Sequence, residues 1–198
     1  MERNTQQDLI FATNNENKVK EIKKLLPENI NLLSLKDVGI VEDIPETGET
    51  LRENALQKAS YVYEKTGKNC FADDTGLQVD ALNGAPGVYS ARYAGEEKNA
   101  GKNMDKLLLE LQNVKNRKAN FTTVIALILN GKEYLFEGKV NGAIALAKSG
   151  KEGFGYDPVF IPDEFAPKTF ADIPLEEKNK ISHRARAVGK LVAFLSKK

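Results

Sequence analysis

The chain has 198 residues, 41% of them hydrophobic and 29% charged, which is enough to bury a core without disulfide or metal staples. Its 29 basic and 28 acidic side chains leave a formal charge of +1, which argues against a dedicated polyanion-binding protein. The single cysteine, Cys70, excludes an internal disulfide and fits a reducing compartment; no stretch reads as a signal peptide or a membrane span, so a cytoplasmic protein is expected.

The polar residues 1–8 are expected to fray. Residues 9–13 are an apolar run that reads as a buried strand. After TNNENK, the residues Val19, Ile22, Leu25 and Leu26 recur at helical spacing until Pro27. Residues 30–44 read as a second strand and a connection. Thr50 and Glu53 form a T-x-x-E capping box for a helix that buries Ala55, Ala59 and Val62 and ends near Gly67. The strand CFAD follows, and the adjacent carboxylates Asp73 and Asp74 are expected at its end, before a glycine- and proline-broken loop that runs to Arg92. A helix over residues 97–112 carries Met104, Leu107, Leu108 and Leu111 on one side. Residues 121–129 read as a strand, Asn130-Gly131 as a two-residue hairpin turn, 133–140 as the returning strand and 142–147 as another. Residues 149–158 read as loop, and a short helix covers about 174–180 with Pro174 in its first turn. The last helix starts at Ser182 as N-cap and buries Val188, Leu191, Val192 and Leu195. Strand–helix units mixed with a hairpin predict an α/β fold with a mixed sheet, and no linker divides the chain.

In TNNENK, a strand-to-helix loop offers backbone N–H groups and the positive end of a helix dipole, and Lys18 adds a full charge. The segment is a candidate phosphate site without the spacing of a Walker A loop; the alternative is a solvated loop with asparagine caps. Asp73 and Asp74 are neighbours on a strand, so they cannot both aim at one ligand unless the strand ends or twists there. One is then a ligand or base and the other structural. Carboxylates hold Mg²⁺ in nucleotide enzymes, and Glu46, in a Pro/Gly loop just before a helix, is a candidate second ligand. The alternative for Asp73-Asp74-Thr75-Gly76 is a capped turn. In GFGYDP, Gly153 and Gly155 let backbone approach a ligand, Phe154 and Tyr156 offer faces to a base, and Asp157 offers an acceptor; the alternative is an aromatic turn closing a core. In EEKNKISHRARA, His183 and Arg184 fall in a first helical turn, where cations oppose the helix dipole and a bound anion or a polar base edge would compensate them; the alternative for the single histidine is an ordinary surface or capping side chain.

Taken in order, ATNNENKVKEI, ETGETLRENALQKA, FADDTGLQVDALNGAPGVYSARYAG, GFGYDP and EEKNKISHRARA span residues 12–187 and resemble the inosine triphosphate pyrophosphatase, or Ham1-like, family. Asn14 stands where many members have glycine. The resemblance implies an elongated α/β fold, a mixed sheet flanked by helices forming two lobes of one domain around a central active-site cleft, and a homodimer. It implies hydrolysis of ITP, dITP and XTP to the monophosphate and pyrophosphate, with Mg²⁺ or Mn²⁺ as cofactor. On the matching positions, Glu46 and Asp74 are the implied metal ligands, and Asp74 is the group that activates water, with Asp73 in support. Thr13, Asn15 and Lys18 are implied as the triphosphate cradle, with Thr75, Lys58 and Arg92 as further substrate contacts. Phe154, Gly155, Tyr156 and Asp157 are implied around the base, and Lys178, His183 and Arg184 as base-side contacts. Donors aimed at the 6-oxo group of hypoxanthine or xanthine would meet the 6-amino donor of adenine unpaired, which gives selectivity against ATP. The expected partner is therefore a purine nucleoside triphosphate, with neither polynucleotide nor membrane. Rival readings are a Maf-like nucleotide pyrophosphatase, opposed by the GFGYDP and SHR clusters, a silent nucleotide binder, opposed by the retained carboxylates, and a single-strand binder, opposed by the charge balance.

Overall fold

Leu9, Ile10 and Phe11 are each almost wholly excluded from solvent, and they form the inner half of β1 (Gln7–Phe11) in a computed structural model that describes residues 6–197. Residues 1–5 of the expected frayed end lie outside the described residues. Gln7 and Asp8 do not fray: they lie opposite Ile30 and Asn31 of β2 (Ile30–Leu33), which runs parallel to β1. On its other side β1 runs parallel to β3 (Cys70–Val79), where the Phe11 and Phe71 rings stack with centroids 4.6 Å apart. The later strands are β4 (Pro86–Gly87), β5 (Lys118–Leu129), β6 (Lys132–Ile144) and β7 (Phe160–Pro162). Among the described residues these make one seven-stranded sheet in the order β2-β1-β3-β5-β6-β7, with β4 antiparallel to β3 and β7 antiparallel to β6. The sheet is mixed, as expected. Asn130 and Gly131 have φ of 51° and 76°, the left-handed pair that a two-residue hairpin turn between β5 and β6 requires.

The α-helices are α1 (Glu16–Lys23), α2 (Leu51–Thr66), α3 (Ala100–Glu110), α4 (Leu175–Ile181) and α5 (His183–Leu195). The chain divides into two compact units. The first takes the described residues through Asp74, Thr123–Gly138 and those from Arg184 on; the second takes Thr75–Thr122 and Lys139–His183. Each has its own core. In the first, Phe11, Ile22, Phe71, Ile125, Val188 and Leu191 pack together. In the second, Leu77, Leu107, Phe121, Tyr156, Phe160 and Phe170 do so.

The capping box is present at the start of α2: the Thr50 hydroxyl accepts from the Glu53 N–H and the Glu53 carboxylate accepts from the Thr50 N–H, both at 3.1 Å. Gly67 closes the helix in the left-handed region. Three expectations change. The strand that begins at Cys70 does not end at the acidic pair; it continues to Val79, because Leu77 and Val79 alternate into the second core. The strand expected at 142–147 is the end of β6, which runs unbroken to Ile144. Finally, α1 stops at Lys23, and Leu25 and Leu26 pack against the first core from the turn that follows.

Thr50→Ala removes one half of the capping box and should lower the unfolding free energy by about 1 kcal/mol. Urea denaturation checks this: the midpoint should fall with an unchanged slope, whereas an unchanged midpoint would show that the box contributes nothing to α2.

Candidate active site

Side chains alternate along β3, and the adjacent aspartates obey that alternation. Phe71 packs with Ile22 of α1 and Val188 of α5, and Asp73, two residues on, pairs with Lys18 of α1 and Arg184 of α5. On the opposite face the Cys70 thiol donates to the Ala59 carbonyl of α2, and Asp74 meets Asn54 and Lys58 of the same helix. One strand thus sends its two carboxylates to different partners without ending there.

Asp73 is a buried counter-charge. Its Oδ1 lies 3.0 Å from Lys18 Nζ, and its Oδ2 lies 3.4 Å from both Nε and Nη2 of Arg184. Arg184 Nη1 in turn bonds the carboxylate of Glu21. The side chains of Asp73, Arg184 and Glu21 are 0%, 3% and 5% exposed, so these charges answer one another and not water. Burial alone would raise the Asp73 carboxyl, but Lys18, Arg184 and Lys58 outweigh it and hold the group well below the usual aspartate range. Burial lowers the Lys18 ammonium, with Lys58 and Arg184 adding to that and Asp73 opposing it.

Asp74 is in a different setting. Asn54 Nδ2 donates to its Oδ2 at 3.0 Å. The Lys58 ammonium lies 3.6 Å from its Oδ1 and 2.5 Å from Glu46 Oε1, so the two carboxylates converge on one cation. Burial raises the Asp74 carboxyl, and Glu46 adds to the rise against the pull of Lys58 and Lys18. Burial would lower Lys58, but Asp74 and Glu46 raise it. Among the described residues there is no group of three or more His, Cys, Asp or Glu side chains placed to hold a metal. Two hard-oxygen donors facing one cation nevertheless fit Mg²⁺, which binds one or two carboxylates and completes its shell with water and phosphate oxygens.

The loop before α1 is already bonded to itself. Asn15 is the N-cap, its side-chain oxygen accepting from the Asn17 and Lys18 N–H groups at 3.0 and 3.3 Å, and the Thr13 hydroxyl accepts from the Asn15 N–H at 3.1 Å. The asparagine-capped loop therefore describes the local bonding, and the positive charge of the segment comes from Lys18 in the first turn of α1.

In the second unit, the GFGYDP segment folds round Asp157. Its Oδ2 accepts from the Phe154 N–H at 2.7 Å and from Lys178 Nζ at 2.8 Å, the lysine and aspartate side chains being 3% and 4% exposed. Gly153 is required here: its φ is +75°, and a Cβ would lie 2.0 Å from Asp157 Oδ2. Gly155, at φ +64°, has open space where a Cβ would stand. Lys178 Nζ sits 5.0 Å from the centroid of the half-buried Phe154 ring and 5.7 Å from that of Phe170. His183 is buried and stacks on Phe121 at 4.6 Å and 15°.

Several predicted contacts have other partners. Tyr156 is a core residue whose hydroxyl donates to the Ser90 carbonyl at 2.7 Å and whose pKa is raised chiefly by burial, so its ring is not a face for a base. Asp157 answers Lys178 and the Phe154 N–H. Arg184 belongs with Asp73 and Glu21, not with Lys178. Arg92 lies over the Tyr89 ring at 5.2 Å, with Glu96 4.0 Å away. Thr75 is half-buried on β3.

Sequence reasoning missed Glu21 and Asn54. Both carried a signal. The buried stripe of α2 is Leu51, Asn54, Ala55, Lys58, Ala59 and Val62, an unbroken helical face with two polar members one turn apart. Glu21 is one turn after Lys18 and directly precedes the buried Ile22.

The Ham1 family model matches residues 9–194. A dITP/XTP pyrophosphatase of Flavobacterium johnsoniae is 58% identical over 188 residues, covering 95% of this chain and 97% of its own. One of Porphyromonas gingivalis is 54% identical over 188 residues, covering 94% and 96%. Among solved structures, a HAM1 protein of Coxiella burnetii superposes with a TM-score of 0.89 at 37% identity, over 97% of this chain and 100% of that one. The Ham1 protein of Staphylococcus aureus gives a TM-score of 0.87 at 40% identity, over 96% and 98%.

Asp73→Asn takes the nearest carboxylate from Lys18 and leaves Arg184 with Glu21 alone, so it should lower the unfolding free energy at pH 7 by about 3 kcal/mol. The wild-type carboxyl titrates lower in the folded than in the unfolded chain, so its stabilisation is complete above the unfolded value and is lost as pH falls towards the folded one. The difference between wild type and variant should thus be flat near neutrality and shrink below about pH 4. Chemical denaturation across pH checks this; equal stabilities at pH 7 would contradict the counter-charge role.

Proposed function

Because the chain belongs to the Ham1 family, we propose that it hydrolyses the deaminated purine nucleotides dITP, XTP and ITP to monophosphate and pyrophosphate, with Mg²⁺ as cofactor. It is a nucleoside triphosphate pyrophosphatase, the activity for which its relatives at 54% and 58% identity are named. The observation that carries the chemistry is the convergence of Glu46 and Asp74 on the Lys58 ammonium.

Glu46 and Asp74 would hold the Mg²⁺, which when bound neutralises phosphate charge and makes water a better nucleophile. Asp74 accepts the proton of a water whose oxygen attacks the α-phosphorus. The α–β phosphoanhydride bond breaks and pyrophosphate leaves. Asp73 is unsuited to that proton transfer, since Lys18 and Arg184 engage both of its oxygens. Its task is to hold Lys18 where the ammonium meets phosphate oxygens. Lys18 and Lys58 are both cations beside carboxylates, and substrate phosphate can replace part of that pairing as charge builds on the leaving group. Thr13, Asn15, Thr75 and Arg92 are secondary phosphate-side candidates.

In the second unit the half-buried face of Phe154 takes the base. Lys178, fixed by Asp157, and His183, fixed by stacking on Phe121, are the donors offered to a 6-oxo purine. A site built round donors to an oxo group rejects the 6-amino group of adenine. Arg184 is left out of this set, because its guanidinium serves Asp73 and Glu21. A homodimeric, cytoplasmic enzyme acting as one domain completes the proposal, resting on family resemblance; no helix among the described residues is long and apolar enough to cross a membrane.

Incubation with Mg²⁺ and, separately, dITP, XTP, ATP and GTP tests the reading. Pyrophosphate and monophosphate should form from dITP and XTP, with little turnover of ATP. Orthophosphate release would overturn the cleavage site, and equal rates on ATP would overturn the base reading. Asp74→Asn should lower kcat on dITP by about a hundredfold or more; turnover at the wild-type level would remove Asp74 from the mechanism.

A further inference from the structure

The residues ahead of α2 have no regular secondary structure, yet they carry Glu46. Side chains at successive turns of α2 lace this strap down. The Glu42 carboxylate accepts from the Tyr61 hydroxyl at 2.7 Å and pairs with Lys65. Gln57 accepts from the Thr47 N–H at 2.9 Å and donates to the Thr47 hydroxyl at 3.0 Å. Asn54 makes the innermost tie. Its Oδ1 accepts from the Gly48 N–H at 2.8 Å, and its Nδ2 donates to Asp74 Oδ2 at 3.0 Å. The residue is 2% exposed, so water does not compete for either bond. The strap also lies hard against the helix: a Cβ on Gly48 would stand 2.6 Å from Glu53 Cβ and 2.9 Å from Asn54 Oδ1.

One short amide therefore joins Asp74 to the backbone two residues beyond Glu46. We propose that Asn54 is a positioning residue that sets the separation of the Glu46 and Asp74 carboxylates before substrate arrives. The inference rests on the reading of those two carboxylates as the metal pair. The chemistry selects asparagine. The strap N–H needs an acceptor and the carboxylate needs a donor, and an amide supplies one of each without adding charge. Aspartate would set a second anion against Asp74, leucine would make neither bond, and glutamine would reach one methylene too far. Lys58 bridges the same carboxylates through a long flexible stem, so it sets their charge balance but does not fix their spacing.

The test uses the full chain and Mn²⁺ as probe, the free ion being followed by its electron paramagnetic resonance signal. Wild type is compared with Asn54→Ala, with Asn54→Leu, which refills the buried volume on α2, and with Gly48→Ala, which breaks the same contact from the strap side. The Mn²⁺ dissociation constant should rise about tenfold in each variant. With saturating metal, kcat on dITP should fall by a similar factor while KM changes by less than about threefold. Asn54→Leu recovers packing but not the two hydrogen bonds, so its melting temperature should lie above that of Asn54→Ala while its Mn²⁺ affinity stays as low. Wild-type affinity in the variants, or affinity that returns with stability in Asn54→Leu, would overturn the positioning role. A wild-type protein that neither binds Mn²⁺ nor releases pyrophosphate would instead bring down the reading of Glu46 and Asp74, and this inference with it.

Discussion

A carboxylate stays ionised inside a protein only where cations answer it, and much of the first unit is arranged to answer Asp73. Lys18 comes from α1 and Arg184 from α5, while Glu21 of α1 balances the second charge of the pair. The separation in sequence between Arg184 and Asp73 is 111 residues, so the ion pair closes only when the end of the chain has returned to the sheet. Removing one member strands the others in a place that water does not reach. The apolar contacts of Phe11, Ile22, Phe71 and Val188 bring the same elements together. Packing and charge thus specify one arrangement.

The two-residue period of the strand does the rest. Because Asp73 points to α1 and α5, Asp74 must point to α2, where Asn54 and Lys58 interrupt an otherwise apolar stripe. Two identical side chains, adjacent in sequence, acquire different chemistry from geometry alone. One is saturated by fixed cations. The other shares the Lys58 ammonium with Glu46 and lies 3.6 Å from it. In the proposed reaction the first holds a lysine in place and the second handles a metal and a proton.

The readable parts of the fold were those set by neighbours in the chain. The capping box at Thr50 and Glu53, the left-handed Gly67 and the Asn130-Gly131 turn are local devices, and all are present. The length of β3 was not readable, because Asp73, Asp74, Thr75 and Gly76 look like a turn until Leu77 and Val79 are seen to be buried. At the site, the clusters were legible as residue types in order, but their pairings were not. Tyr156 looked like a platform for a base and is a core residue tied to Ser90. Arg184 looked like a companion of Lys178 and answers Asp73. Such partners lie far apart in sequence, and spacing within a motif carries no information about them. The polar residues on the buried stripe of α2 were the missed clue, since an asparagine and a lysine at i and i+4 among alanines demand a polar partner in the core.

Environment separates the two aspartates. Titration of the metal-free protein, with the side-chain carboxyl carbons of Asp73 and Asp74 followed by ¹³C NMR, tests it directly. Asp73 should remain ionised well below the ordinary aspartate range, while Asp74 should take up its proton above it. Two aspartates titrating together at the ordinary value, or the reverse order, would contradict it.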